Sequence, residues 1–131
     1  MEQPAAQPRK ILLADDDLGL RRLVEATLAG DEYVILQAAS GEEALAIAGR
    51  EQPDAILLDI DMPGGMDGLE VCRRLKGDPA TSRAVVIMLT GAHGEEQRQI
   101  ALANGAADYI TKPFSPLALL RRLEALFDAA P

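Results

Sequence analysis

Residues 55–68 read AILLDIDMPGGMDG. The opening Ala55–Leu58 is aliphatic without polar alternation, the pattern of a strand buried on both faces of a parallel sheet. The run ends in an acid, Asp59, and Ile60-Asp61-Met62-Pro63 leads into a glycine-rich turn. Pro53 breaks the chain before the run. Leu69, Cys72 and Leu75 follow at helical spacing, so the turn leads into a helix.

The same order recurs on either side. Ile11–Ala14 is an apolar run followed by Asp15, Asp16 and Asp17. Val34–Ala38 reads as a second strand, Val85–Leu89 as a fourth ending at Thr90, and Asp108–Thr111 as a fifth ending at Lys112. Between them lie helical patterns. Leu20, Leu23, Val24, Thr27 and Leu28 repeat on one face, with Arg21, Arg22 and Glu25 assigned to the other, and Gly30 closes the helix. Ser40 with Glu43 forms a capping-box pattern ahead of the Ala44, Leu45, Ala48 stripe. Lys76–Arg83 reads as a polar loop. The helix near Glu95–Asn104 has a buried side that is mostly alanine, and Gly105 ends it. Ser115 caps and Pro116 starts a last helix with Leu119, Leu123, Leu126 and Phe127 on one stripe.

Strand alternating with helix predicts an α/β fold of right-handed βαβ units, a parallel sheet with helices on both faces. In such sheets ligands bind beyond the carboxyl ends of the strands. Asp15, Asp16, Asp59, Thr90 and Lys112 therefore meet at one end of the sheet. Three carboxylates, a hydroxyl and an ammonium suit a divalent cation and a phosphoryl group.

Composition sets the bounds. At 131 residues the chain is one domain's worth, and 48% apolar content supports a core. With 3% aromatics and no Trp, that core is aliphatic. A net charge of −8 argues against nucleic-acid binding by general electrostatics. The single Cys72 cannot form an internal disulfide, sits on a helix stripe and reads as core; with no signal-peptide pattern in MEQPAAQPRK, a cytoplasmic location is expected. No run reaches the length of a membrane span. Residues 1–9 are expected to be a flexible leader, 10–128 the domain, and 129–131 a tail or the start of a linker.

Each polar site also has a bland reading. One Asp after the first strand would cap a helix, and Asp17 is assigned that role. Two further acids side by side repel unless a cation neutralises them, and Mg²⁺ is held by one or two carboxylates with waters and phosphate oxygens. Asp59 alone could be a turn residue before Pro63; beside Asp15 and Asp16 it reads as a metal ligand and nucleophile, since carboxylates form acyl phosphates. A lone Thr90 is a strand-to-loop hydroxyl, and a lone Lys112 a solvated charge. In phase with the strands, Lys112 reads as a point charge for phosphoryl oxygens. His93 reads as a solvated loop residue.

ILLADDD (11–17), AILLDIDMPGGMDG (55–68), VIMLTG (86–91) and DYITKPF (108–114) together resemble the CheY-like receiver domain of bacterial two-component response regulators. The resemblance covers about Lys10 to Phe127. It implies a (βα)₅ flavodoxin-like fold with strand order 2-1-3-4-5. It implies a phosphoacceptor signalling domain rather than an enzyme, in which Asp59 accepts a phosphoryl group from a histidine kinase or histidine phosphotransfer protein and then engages a downstream effector. Asp15 and Asp16 would hold Mg²⁺, Asp16 directly and Asp15 through water, with the backbone carbonyl of Asp61 as a further ligand. Lys112 would pair with Asp59. Thr90 would move onto the phosphate, with Tyr109 turning inward. The Lys112–Pro113 bond would be cis.

Three features depart from the family pattern. The turn MPGGMDG is one glycine longer than usual, which Gly64 or Gly65 can absorb by taking positive φ. Asp61 adds a negative charge beside the metal site. Ala107, Ala118 and Glu124 stand where dimerising members place an acid, an acid and a base, so a monomer or weak dimer is expected.

Rival readings fall on order. Asp59-Ile60-Asp61 matches the DxD motif of haloacid-dehalogenase-type phosphatases, but those place DxD after the first strand and their acidic pair late. A flavodoxin-like FMN site needs a Ser/Thr/Gly-rich phosphate loop where this chain has three Asp. A receiver-like interaction module that never takes phosphate would not need the full set of acids, Thr90 and Lys112.

Overall fold

Strand and helix alternate through β1 (Arg9–Ala14), α1 (Leu18–Leu28), β2 (Tyr33–Ala38), α2 (Gly41–Glu51), β3 (Ala55–Asp59), α3 (Gly68–Gly77), β4 (Val85–Thr90), α4 (Glu95–Ala103), β5 (Asp108–Thr111) and α5 (Pro116–Ala129). The computed structural model describes residues 7–62, 64–91 and 94–129. All strand pairs are parallel, in the order β2-β1-β3-β4-β5. The fold is the flavodoxin-like (βα)₅ arrangement expected. His93 and residues 1–6 of the leader lie outside the described residues.

Alternation along the strands divides the core in two. Leu12, Ala14, Ile56, Leu58, Val86 and Met88 face α2, α3 and α4. Ile11, Leu13, Ala55, Leu57, Ile87 and Leu89 face α1 and α5, against Val24, Leu28, Leu119, Leu123 and Phe127. Every residue of β3 is buried, as an unbroken aliphatic run requires.

Helix starts follow their local chemistry. The Asp17 carboxylate accepts from Leu20 N–H at 3.2 Å. Ser40 Oγ accepts from Glu43 N–H at 3.2 Å, while Glu43 Oε1 reaches back to Ala39 N–H. Ser115 Oγ accepts from Ala118 N–H at 3.4 Å. Cys72 is core as read, its thiol donating to the Asn104 carbonyl at 3.2 Å. The Lys112–Pro113 bond is cis.

Several elements differ from the sequence reading. β1 starts at Arg9, inside the expected leader: its N–H donates to Glu32 O at 2.9 Å and its guanidinium lies over the Phe127 ring. A strand that begins with charged residues gives no apolar signal. α5 continues to Ala129. In α1, Leu23 is 52% exposed, whereas Arg21, assigned to the outer face, is half-buried. Arg21, Val24 and Leu28 share a face at i, i+3 and i+7. The Lys76–Arg83 segment is not merely a polar loop, since Lys76 Nζ donates to Ser82 O and Ala84 O, and buried Thr81 donates to Leu75 O.

Candidate functional site

Strand order reverses between β1 and β3, and the crevice at such a switch point is where open α/β sheets take ligands. Register brings the key residues level there. Ala14 pairs with Ala38 and Leu58, Asp59 with Leu89, and Thr90 with Thr111. The ladder continues one step beyond the strands. Asp15 N–H donates to Ala38 O, Ile60 N–H to Leu89 O, and Lys112 N–H to Thr90 O at 2.7 Å. Asp15, Asp59, Thr90 and Lys112 are thus held by the backbone ladder before any side chain contributes.

Asp15 is fully buried, and each of its polar groups has a partner. Oδ1 accepts from Asp17 N–H at 2.9 Å, and Oδ2 from Lys112 Nζ at 2.6 Å. Its carbonyl accepts from Arg21 Nη1 at 2.6 Å. Asp59 is 4% exposed; Oδ1 accepts from Asp61 N–H at 3.2 Å, and Oδ2 lies 3.4 Å from Lys112 Nζ. Lys112 thus bridges both acids and sits nearer Asp15, where the sequence reading paired it with Asp59. The side chains of Asp16 and Asp61 are exposed.

Asp15, Asp16 and Asp59 each offer a carboxylate oxygen, all within 4.8 Å of one another. Among the described residues one ammonium faces three acids, so the cluster is under-neutralised. Burial first, and the Asp15 charge second, push the Asp59 carboxyl up to about 6, against the lowering pull of Lys112. Burial works to lower the Lys112 pKa, but its hydrogen bond and charge contact with Asp15, together with Asp59, raise it on balance. An under-neutralised set of hard oxygen donors fits Mg²⁺. Asp16 is exposed, and both oxygens of Asp15 are engaged within the chain.

Thr90 ends β4 at 2% exposure, beside the acids. Tyr109 is 9% exposed and belongs to the core cluster on the side of α2, α3 and α4. Gly64 is the turn glycine that takes positive φ, at +95°; Pro63 lies outside the described residues. Ala107, Ala118 and Glu124 are exposed, while Asp108 pairs within the chain with Arg122 at 2.6 Å.

Two contributors were missed from sequence. Gly68 opens α3 against the strand it follows: a Cβ there would collide with Asp59 O and lie 2.8 Å from Ile60 Cα. Arg21 reaches the site edge, with Nε 3.2 Å from Gln37 Oε1. Its i, i+3, i+7 relation to Val24 and Leu28 was the available signal.

A family model described as the response regulator receiver domain matches residues 11–124. The chain is 44% identical to response regulator PleD of Caulobacter vibrioides over 117 residues, covering 89% of this chain and 26% of that protein. It superposes on chemotaxis response regulator CheY4 of Vibrio cholerae with TM-score 0.84 at 34% identity, covering 91% of this chain and 98% of that one. The BeF₃-activated N-terminal receiver domain of Klebsiella pneumoniae RstA superposes with TM-score 0.79 at 34% identity, covering 88% and 96%. The chain spans between about a quarter and a half of the length of the curated relatives it matches. No helix among the described residues is long and apolar enough to cross a membrane.

Proposed function

This chain belongs to the response regulator receiver domain family, and from that membership we propose that it is a phosphoacceptor switch whose Asp59 takes a phosphoryl group from a phosphohistidine donor. The donor is a histidine kinase or a histidine phosphotransfer protein, and the setting is the bacterial cytoplasm. The observation that carries this reading is the clustering of buried Asp59 with Lys112 and the acids Asp15 and Asp16 at the switch point of the sheet.

The chemistry follows from those positions. With a pKa of about 6, Asp59 is largely ionised at neutral pH and presents a nucleophilic oxygen. As that oxygen forms its bond to phosphorus, the donor's P–N bond breaks and its electron pair leaves on the imidazole. The product is an acyl phosphate. Lys112, held by Asp15, offers its ammonium to the transferred oxygens, and Thr90 offers a hydroxyl from the neighbouring strand end. Asp16, water held by Asp15, and the Asp61 carbonyl would hold Mg²⁺, which supplies positive charge that offsets repulsion between the acids and the phosphoryl group. Activation of the Klebsiella relative by BeF₃, a tetrahedral phosphoryl mimic, supports carrying this chemistry over.

Phosphorylation then shifts an equilibrium in the face formed by α4, β5 and α5, which meets an effector protein or domain. Ala107, Ala118 and Glu124, standing where dimerising members place an acid, an acid and a base, favour a monomer or weak dimer. The test is incubation with acetyl phosphate, read by intact mass. One phosphoryl group should add only with Mg²⁺ present and not to Asp59→Ala. Absence of labelling in the wild-type protein would favour an interaction module that works without phosphate. Equal labelling of Asp59→Ala would move the acceptor elsewhere.

A further inference from the structure

Arg21 comes from the middle of the first turns of α1, yet it does not point to solvent. Its guanidinium donates through Nη1 to the carbonyl of Asp15 at 2.6 Å and through Nε to Gln37 Oε1 at 3.2 Å. Gln37 stands in β2, one residue from that strand's end, in register with Leu13 of β1. The arginine therefore spans from the edge strand to the turn that carries the acids. A guanidinium fork is preorganised to hold two acceptors at once, which a lysine ammonium on a flexible stem does less well.

The atom it holds matters more than the contact. The Asp15 carbonyl and the Asp16 N–H belong to one rigid peptide plane. Fixing the carbonyl oxygen sets the tilt of that plane, and so the position of the Asp16 Cα from which the exposed carboxylate leaves. The other polar groups of Asp15 are already taken by Ala38, Asp17 and Lys112. Among the described residues Asp16 has no comparable restraint: its side chain is exposed and sits in the turn between β1 and α1. Arg21 supplies a restraint on that plane through the Asp15 carbonyl oxygen.

We propose that Arg21, held by Gln37, is a positioning residue for the Asp15–Asp16 pair, setting the Asp16 carboxylate for a divalent cation. This rests on the phosphoacceptor reading, because it presumes that the acids bind Mg²⁺. It makes a prediction that electrostatics alone reverses. Arg21 is a cation near a cation site, so deleting its charge should tighten Mg²⁺ binding if charge were its only role. If it positions Asp16, deleting it should weaken binding despite the lost repulsion. Residues that orient metal ligands typically change affinity by about 10–100-fold.

The experiment is Mg²⁺ titration by calorimetry on the full chain, without phosphoryl donor, for wild type, Arg21→Ala, Arg21→Lys and Gln37→Leu. Thermal unfolding in chelator is measured alongside. Arg21→Ala should weaken Mg²⁺ about tenfold. Arg21→Lys, which keeps the charge but not the fork, should fail to restore it. Gln37→Leu, which leaves Arg21 and every acid in place, should weaken binding in the same direction by a smaller factor. It also decides the question should Arg21→Ala not fold. Unchanged or tighter binding in the folded arginine variants, or unchanged binding in Gln37→Leu, overturns the inference while leaving the phosphoacceptor reading intact. A wild-type protein that binds no Mg²⁺ overturns both.

Discussion

The ammonium of Lys112 lies 2.6 Å from the carboxylate of Asp15, an acid with no exposure to solvent. Its contact with Asp59 is longer, at 3.4 Å. Lys112 thus has two duties: it neutralises a buried acid, and it faces the acid proposed to react.

Those duties predict a double defect in Lys112→Met. A buried carboxylate left without its cation costs several kcal/mol in a dry site, but the lysine side chain is 27% exposed, so water screens part of the loss. We expect destabilisation of about 1–3 kcal/mol in urea unfolding, together with slower labelling by acetyl phosphate. An unchanged midpoint with slowed labelling would mean that the Asp15 contact contributes nothing to stability.

Asp59→Asn should stabilise the metal-free protein at neutral pH. The folded carboxyl is raised to about 6 from an ordinary 3.8, so between those values the native state keeps a proton that the unfolded chain has released. Stability therefore falls as pH rises through that window, and the full penalty stands at pH 7. Removing the charge should return about 1–3 kcal/mol, and Mg²⁺ should return a similar amount to the wild type. Below about pH 4 the advantage should vanish. Chelator-treated proteins of equal stability at pH 7 would show that the cluster carries no such penalty.

Gly68→Ala tests how tightly α3 is set against the reacting strand. Its N–H donates to Ile60 O at 2.9 Å, and an added Cβ meets backbone rather than a flexible side-chain end. Backbone must shift, at a cost of about 1–3 kcal/mol or more, and the shift passes directly to Asp59. Reduced stability with lost Mg²⁺ affinity is the expected pair. Crystals of the variant with an unmoved Asp59 would separate the two.

Asp61→Asn removes an exposed negative charge from the mouth of the site. At a separation of several ångströms in water that charge is worth about 0.5–1 kcal/mol, a two- to fivefold effect. Mg²⁺ binding should weaken by that factor, and labelling by anionic acetyl phosphate at saturating Mg²⁺ should speed up. Neither change occurring would place the Asp61 carboxylate too far out to matter.

The strand ends were legible because buried parallel strands are written as unbroken aliphatic runs. Once Ala55–Leu58 was read so, Asp59 had to lie at the sheet's edge. Caps at Asp17, Ser40 and Ser115 were legible for the same local reason. The long-range choices were not. That Lys112 favours Asp15 over Asp59 depends on a fraction of an ångström between two acids from different strands. Arg21 turned inward because its aliphatic stem shares the Val24 face while its head finds the Asp15 carbonyl, a partner that no sequence pattern announces. Gly68 was read only as part of a glycine-rich turn, although its role is to let backbone approach backbone.

The fourth helix should be the least protected in hydrogen exchange. Ala101 is its only buried residue, and Ile100 is 38% exposed. Its N-cap is Gly94, which offers no side-chain acceptor, so the first-turn amides lack the partner that Asp17, Ser40 and Asp67 provide to α1, α2 and α3. Its far end is better held, by Cys72 Sγ on the Asn104 carbonyl and by Asn104 Nδ2 on Ile100 O. Opening should therefore begin at the N-terminal end and run toward Asn104, with amides near Arg98 exchanging faster than those near Ala103. Binding of BeF₃⁻ with Mg²⁺ should slow the whole segment, because a helix with little burial of its own responds most to what is ordered beside it. Protection in α4 equal to that in α2, or unchanged by the mimic, would move the responsive element elsewhere.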